Sequence, residues 1–247
     1  MAATMKITRT EGRLFLRDPL AMFFGLVFPS MLLLALGLFF PGFKDPVEEL
    51  DGFRYIDIYA PITLGLGVAT LGLVTLPPIL GGYRQFGILR RLRTTPVHPR
   101  RLLLAQMVVH GVVASVSSLA AIVVAVALFD LPVPERPLWF VASFVLAVVS
   151  IFAIGLLIGA LARTANTATA VGMGIYFPML FFGGVWIARG IMPDGLRTVS
   201  DFTPLGSAVQ AMQDSWLGSA PSFTNVAVMA VYAAVVGFLA VRLFRWE

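Results

Sequence analysis

The segment Leu102–Phe129, with the sequence LLLAQMVVHGVVASVSSLAAIVVAVALF, contains no Asp, Glu, Lys or Arg. A helix rises about 1.5 Å per residue, so about 20 apolar residues cross a hydrocarbon core of about 30 Å. Lipid offers the backbone no hydrogen-bond partners, and a segment of this kind therefore crosses a membrane as a helix. The sequence predicts a transmembrane helix at this position.

Similar uncharged stretches lie on both sides of this segment. The chain is 58% hydrophobic and only 13% charged, a composition far from that of an average soluble domain. We predict an all-α integral membrane protein that forms a single domain, 1–247, with six transmembrane helices. The predicted spans are about 20–41, 58–82, 102–129, 138–161, 166–188 and 222–241.

The basic residues are distributed unevenly between the predicted loops. The N-terminus, the 84–101 loop, the Arg163 turn and the C-terminus hold 13 of the 18 Lys and Arg residues. Because cytoplasmic loops are enriched in these residues, we expect this side, with both termini, to be cytoplasmic. The preference for arginine over lysine, with abundant Ala, Gly and Val, indicates a GC-rich bacterial genome. We therefore expect a multi-pass protein of the bacterial cytoplasmic membrane.

The first 18 residues predict an amphipathic helix on the cytoplasmic face. Basic residues recur every three or four positions, with Ile7, Leu14, Phe15 and Leu16 among them. Asp18-Pro19 then ends this helix, because a residue before proline avoids helical geometry. We expect an elbow helix, 1–18, whose basic residues are Lys6, Arg9, Arg13 and Arg17 and which ends at Asp18.

The fifth predicted span does not end cleanly. Phe182, Gly183 and Gly184 lead into a segment that contains Pro193, Pro204 and Leu205 and is still rich in apolar residues. The segment from Arg189 to Pro221 is the only outer connection long enough for further structure. We expect short half-inserted helices here, before the last span.

The loop after the second span carries a pattern typical of one transporter family. Residues 83–97 read YRQFGILRRLRTTPV. They resemble the cytoplasmic loop of type-2 ABC transporter permeases, the daunorubicin-resistance-like exporters, in which Glu-x-Gly-Thr-Leu-x-x-Leu-x-x-x-Pro forms a coupling helix. Gly87, Leu89, Leu92 and Pro96 match that pattern. Gln85 and Ile88 depart from it, standing where the family carries Glu and Thr, and Gln106 follows where a basic residue is common.

Two further features resemble the same family. One is Arg17-Asp18-Pro19 at the end of the elbow helix, and the other is the Phe-x-x-Gly pattern that ends the fifth span and leads to Pro193 and then Pro204-Leu205. The family proline near Ala188 is missing. The resemblance covers most of the chain in the right order, and it implies an outer gate formed by Phe182, Gly183, Gly184, Pro193, Pro204 and Leu205.

The resemblance also implies partners. The coupling helix would dock on an ABC ATPase subunit through Gly87, Ile88, Leu89, Arg90, Arg91, Leu92, Arg93 and Pro96. Ile88, Leu89 and Leu92 share one helical face, offset from the arginines, as a docking helix requires. A basic inner loop that attracts anionic lipid is the alternative for these arginines. A second permease copy or a related permease would complete the membrane part, with lipids around it and no nucleic acid.

Catalytic chemistry is not expected of this chain. Neither lysine, Lys6 or Lys44, follows a glycine-rich phosphate loop, so ATP and Mg²⁺ would bind the partner ATPase. His98 and His110 have no third ligand nearby in sequence, and cysteine is absent. We therefore predict no catalytic residue, no metal site and no cofactor bound by the chain itself.

Five residues within the predicted spans are candidates for a substrate path. They are Tyr59, His110, Asn166, Tyr176 and Phe177. Ordinary packing, or an interfacial aromatic belt, is the alternative interpretation of each. The spans offer no fixed charge to pair with a strongly ionic solute, so we expect an amphipathic substrate: a drug, a lipid or a lipid-linked product. The resemblance also permits export of a polysaccharide.

Two functions of other classes remain open from the sequence. A non-transporting membrane scaffold or assembly protein would use the basic loop without an ATPase partner. An ion-coupled secondary carrier would need ionisable groups at membrane depth, and His110 is the one such group in the predicted spans.

Overall fold

The computed structural model describes residues 2–40, 42–47, 52–93 and 98–244, and within these ranges the chain forms helices and no β-strand. The helices are α1 Ala2–Phe15, α2 Pro19–Phe39, α3 Tyr55–Gln85, α4 Ile88–Arg93, α5 Pro99–Phe129, α6 Pro137–Leu161, α7 Ala165–Phe182, α8 Asp194–Asp201, α9 Pro204–Trp216 and α10 Phe223–Leu243. A single 3₁₀ turn, Arg189–Ile191, precedes α8.

Five of these helices, in the described part of the chain, are long and apolar enough to cross a membrane. They are α2, α3, α5, α6 and α10. The predicted span 166–188 corresponds to α7, which has 18 residues and ends at Phe182. The chain leaves the helix there because Gly184 adopts φ +82°, a left-handed conformation in which glycine is favoured.

The helix α3 lies at the centre of the bundle. In its most apolar 18-residue window 78% of residues are buried, against 22% for α2 and 11% for α10. It contacts α2, α6, α7 and α9. The outward faces of α2, α5 and α10 keep large apolar side chains exposed, as expected of surfaces that face lipid.

Paired prolines distort α3 near its middle. Pro77 and Pro78 carry no amide hydrogen, so they cannot donate to the carbonyl groups one helical turn earlier. The preceding segment, Thr70–Thr75, widens into a π-helical turn, in which the Leu76 amide donates to the Leu71 carbonyl. The carbonyl groups of Gly72 and Leu73 therefore lack their usual helical donors.

Two glycines from neighbouring helices cover these carbonyl groups. Gly155 of α6 lies against the Gly72 carbonyl, and Gly172 of α7 lies against the Leu73 carbonyl. The absence of a side chain at each position lets the three backbones approach closely. The Gly155-x-x-x-Gly159 pattern thus packs α6 on α3 within one chain, since Gly159 also contacts Leu80.

Two short helices precede α10, as the sequence predicts. The first, α8, is largely exposed, whereas α9 is buried along most of its length and packs on α6 and α3. Trp216 at its end packs edge-on against Phe140 of α6, with ring centroids 5.4 Å apart. The α9 helix therefore belongs to the core of the bundle.

Candidate functional site

The segment predicted to act as a coupling helix is helical, as α4, and is joined to α3 by a tight turn. Gly87 adopts φ +69°, and its amide donates to the Arg84 carbonyl at 3.1 Å. Only glycine enters this left-handed conformation without strain, so its position in the motif has a physical cause. Leu92 and Arg93 belong to α4, and Pro96 lies outside the described residues.

The apolar side of α4 faces its own chain. Leu89 is 1% exposed and joins the hydrophobic core. Arg90 and Arg91 are exposed, and Phe86 in the preceding turn is 71% exposed. The apolar side thus fixes α4 to the bundle, and the arginine side is accessible to a partner.

Helix α1, which the sequence predicts to be an elbow helix, packs along α5. Glu11 contacts Gln106, and Phe15, one turn later, packs edge-on against His110 with ring centroids 5.5 Å apart. Lys6, Arg9, Arg13 and Arg17 are exposed, so the basic residues lie on the other face. Asp18 ends the elbow and caps α2, because its Oδ1 accepts from the amides of Leu20 and Ala21 at 3.1 and 3.0 Å.

A buried carboxylate connects α1 to two other helices. Glu11 Oε2 accepts from the Tyr83 hydroxyl at 2.6 Å and from Gln106 Nε2 at 2.7 Å. Tyr83 lies near the end of α3 and Gln106 near the start of α5, so this one group joins three helices. Burial raises the pKa of the Glu11 carboxyl, although both hydrogen bonds act to lower it.

The end of α3 also holds the turn between α6 and α7. The Arg84 guanidinium donates to the carbonyl groups of Gly159, Ala160 and Ala162 at the end of α6. Gln85 Oε1 accepts from the Ala165 amide at the start of α7 at 3.2 Å. Residues 83–85 at the end of α3 therefore contact both α1 and the α6–α7 turn, and the Gly87 turn joins them directly to α4.

Comparison with known proteins identifies the family. The family model for the ABC-2 type transporter matches residues 3–217, which is most of the chain and includes α1 to α9. The chain belongs to the ABC-2 type transporter family. Its members are transmembrane components without an ATPase site of their own, and membership implies an ABC ATPase partner in general.

Curated members of this family are transport permeases. The chain is 24% identical over 189 residues to the inner membrane transport permease YadH of Escherichia coli (strain K12), covering 75% of this chain and 73% of the relative. It is also 24% identical over 174 residues to the putative transport permease YvfS of Bacillus subtilis (strain 168), covering 68% and 67%. Together with the apolar helices, these relatives identify a multi-pass membrane permease subunit.

The structure brings together most of the predicted gate residues of this ABC-2 family member. Ser200 Oγ donates to the Phe182 carbonyl at 2.6 Å, and Gly183 lies against the Leu205 side chain. Pro204 is the first residue of α9 and is buried beside Leu205. Pro193 lies apart from this cluster, at the exposed start of α8.

A large polar cavity adjoins this region and was not predicted from the sequence. It measures about 710 Å³, and its polar lining includes Arg189, Arg197, Asp201, Gln210, Asp214 and Asn225. Arg189 forms an ion pair with Asp201 at 2.6 Å, and Gln210 donates to Asp214 at 2.6 Å. Burial raises the pKa of the Asp214 carboxyl. No motif marks these residues, because they come together only when α8, α9 and α10 pack.

The five predicted path residues do not form one site. Tyr59 packs against Phe43 near the start of α3, and His110 is buried in α5. Asn166 is exposed at the start of α7. The Tyr176 hydroxyl lies 2.9 Å from Thr70 Oγ1, and Phe177 packs edge-on against Tyr176. Only this last pair shares a contact.

The contact of Glu11 with Tyr83 and Gln106 is a structural feature of this region that was not predicted from the sequence. Glu11 looks like one more surface charge on a basic helix, but it is the one acidic residue among the first 17. It also lies one helical turn from Ile7 and one turn from Phe15, on the face that packs inward. A single acidic residue on the inward-facing side of a basic helix is the sequence feature that could have identified Glu11 as a buried contact.

Proposed function

We propose that this chain is the membrane-spanning subunit of an ATP-driven exporter, with ATP hydrolysed by a separate ABC ATPase that binds beneath α4. The observation that carries the proposal is the junction at residues 81–89. There the end of the central helix α3 contacts the elbow helix, the coupling helix and the α6–α7 turn. A displacement of α4 by the ATPase is therefore transmitted to α3.

The route from α4 to the outer face passes through α3. Gly65 of α3 contacts Val209 and Leu205 of α9, so the outer half of α3 touches the predicted gate directly. A closely packed bundle transmits a displacement between the helices in contact, provided that it has two stable arrangements. When the ATPase closes on ATP, it stabilises one arrangement of the bundle. ATP hydrolysis then lets the bundle return to the other arrangement.

The proposal includes a sixth crossing by α7. Its 18 residues give a length of about 27 Å, close to the hydrocarbon thickness of about 30 Å. Six crossings place both termini on one side, and the positive-inside rule makes that side cytoplasmic. A second permease copy, or a related permease, forms the other half of the pathway, and the substrate is amphipathic.

The first experiment is to purify the tagged chain from its native membrane in mild detergent and to identify the proteins that co-elute, with their stoichiometry. We expect an ATPase with phosphate-loop motifs at about one copy per permease. Its reproducible absence from intact complexes would favour a scaffold, or a carrier driven by an ion gradient.

A pair of charge reversals locates the docking surface. Arg90→Glu changes an exposed residue of α4, whereas Arg136→Glu changes an exposed residue that precedes α6 on the predicted outer side. We expect the first to reduce ATPase recovery and ATP-dependent transport, and the second to change neither. Equal recovery with both variants would argue against docking at α4.

A further inference from the structure

A cavity of about 340 Å³ lies between the elbow helix and the inner ends of α3 and α5. Its apolar lining includes Leu14 and Phe15 of α1, Ile79 of α3, and Phe86 and Ile88 at the turn into α4. Its polar lining consists of Glu11, Asp18, Tyr83, Gln106 and His110. This volume lies at the lower end of the range for small-molecule sites, which combine apolar walls with a few placed polar groups.

The cavity offers hydrogen-bond acceptors that the protein leaves unused. Both bonds to Glu11 go to Oε2, and Oε1 has no donor among the described residues. Asp18 likewise accepts its two backbone bonds through Oδ1. Because Glu11 is 8% exposed, its carboxylate is largely shielded from water, and it is the strongest of these unused acceptors.

His110 adds a third acceptor at the cavity wall. Its Nδ1 lies 3.0 Å from the Gln106 backbone carbonyl, and because a carbonyl only accepts, Nδ1 carries the hydrogen and donates. In the neutral ring Nε2 is then an acceptor. The residue is 1% exposed, and Nε2 has no partner in the described chain.

No lysine or arginine lines this cavity among the described residues. Arg9 and Arg13 of α1 line a separate depression against Val108 and Val112, whereas Lys6 lines an adjoining cavity that also reaches Glu11. The cavity therefore combines negative charge and unused acceptors with an apolar wall. A ligand that fits this chemistry supplies a cation with N–H donors and an apolar body.

We propose that the cavity binds a lipophilic amine, whose ammonium group donates to Glu11 and His110 and whose apolar part lies along Leu14, Ile79 and Phe86. The site rests on this geometry and does not depend on the proposed ATPase partner. Because Phe86 and Ile88 belong to the segment that joins α3 to α4, a bound amine contacts the coupling turn. The bound amine would also lie beside the hydrogen bond between Glu11 and Tyr83, which joins α1 to α3.

Photo-crosslinking tests the site directly. The chain is placed in phosphatidylcholine nanodiscs and labelled with dodecylamine that carries a diazirine on its alkyl chain. Dodecanol and dodecanoic acid with the same diazirine serve as uncharged and anionic probes of equal length. Adducts are then mapped by peptide mass spectrometry. We expect amine adducts to concentrate on residues 11–18, 79–88 and 106–110, and the acid to label these segments several-fold less.

Two variants and one control separate the site from general lipid contact. Glu11→Gln keeps an acceptor for Tyr83 and Gln106 but removes the charge, so it should reduce amine labelling of the site about tenfold. His110→Phe removes only one acceptor and should reduce labelling less. Asp214→Asn in the outer cavity removes a distant carboxylate and should leave labelling unchanged.

Two results would overturn the proposal. One is equal labelling of these segments by the amine and the acid. The other is amine labelling of these segments that is as strong in Glu11→Gln as in the unaltered protein. Unchanged labelling of the lipid-facing α10 serves as the check that the variant is folded.

Discussion

Gly155 of α6 lies directly against the backbone carbonyl of Gly72 in α3, with no space between them for a side chain. The Gly72 carbonyl lacks a helical donor because the Leu76 amide donates to Leu71 and Pro77, the next residue in the π-helical register, has no amide hydrogen. The close approach of the Gly155 backbone covers this carbonyl and keeps it away from lipid. Glycine at position 155 of α6 is therefore required because of Pro77, which lies five residues after Gly72 in α3.

Gly155→Ala should destabilise the protein strongly. Its Cβ overlaps backbone atoms, which cannot turn aside as a flexible side chain would, so we expect a loss of about 3 kcal/mol in the free energy of unfolding. The control is Gly174→Ala in α7, where a Cβ meets nothing within 4 Å. Alanine favours a helix interior, so this variant should be neutral or slightly more stable. Unfolding of both variants in the same lipid checks the difference.

Asp57→Asn should loosen the outer end of the bundle. The Asp57 carboxylate accepts from Arg54 Nη2 at 2.8 Å, Nε at 3.1 Å and the backbone amide at 2.9 Å, and Arg54 Nη1 also donates to the Phe129 carbonyl of α5 at 3.0 Å. The change replaces two carboxylate oxygens by one neutral amide oxygen, so the partly buried guanidinium loses its charged partner at position 57, which costs about 1–3 kcal/mol. The measured quantity is again the free energy of unfolding.

Asp194→Asn is the matched control for that change. Asp194 lies 3.9 Å from Arg197, also three residues apart in sequence, but its side chain is fully exposed. Surface pairs of this kind contribute little, so we expect no measurable change. A similar loss in both variants would mean that net charge, and not the buried contact, determines the stability.

Hydropathy predicted the helices because a membrane helix depends mainly on its own composition. The uncharged stretches correspond to α2, α3, α5, α6 and α10, with ends that differ by a few residues. The exception is α7, which stops at Phe182 although the apolar sequence continues. Gly184 ends that helix through its backbone conformation, which a hydropathy average does not detect.

The candidate site could be predicted only in part. The turn at Gly87 and the helix after it follow from a local pattern, so a motif in the sequence was sufficient. Tyr83 and Gln106 lie 72 and 95 residues after Glu11 in the sequence. The three residues meet only when α1, α3 and α5 pack. The sequence grouped Leu89 with the docking residues of the coupling helix, whereas in the structure Leu89 is 1% exposed and packs into the core of its own chain.

Tyr83→Phe should weaken the docking of the elbow helix. The change removes the 2.6 Å hydrogen bond to Glu11 and leaves a buried carboxyl with Gln106 as its remaining donor. The cost is about 1–3 kcal/mol, and it should appear as faster amide hydrogen exchange in residues 2–15. Tyr232→Phe is the control, because the Tyr232 hydroxyl has no hydrogen-bond partner among the described residues. Equal exchange in both variants would show that the Glu11 contact does not hold α1.

Docking of the elbow helix should also depend on pH through Glu11. Burial raises the pKa of this carboxyl when α1 is docked, whereas an undocked Glu11 in water has its ordinary pKa of about 4.3. Docking therefore favours the protonated form. Its stabilising contribution is complete below the ordinary pKa and is lost as the pH rises through the raised pKa.

A pair of spin labels measures this dependence. The chain contains no cysteine, so Met5→Cys and Leu104→Cys, both at exposed positions on α1 and α5, provide unique labelling sites. We expect the fraction of short distances to fall as the pH rises. Asp18 and His110 line the same cavity, so Glu11→Gln is the necessary control, and in that variant the distance distribution should become independent of pH. A pH dependence that survives in Glu11→Gln would assign the titration to another group.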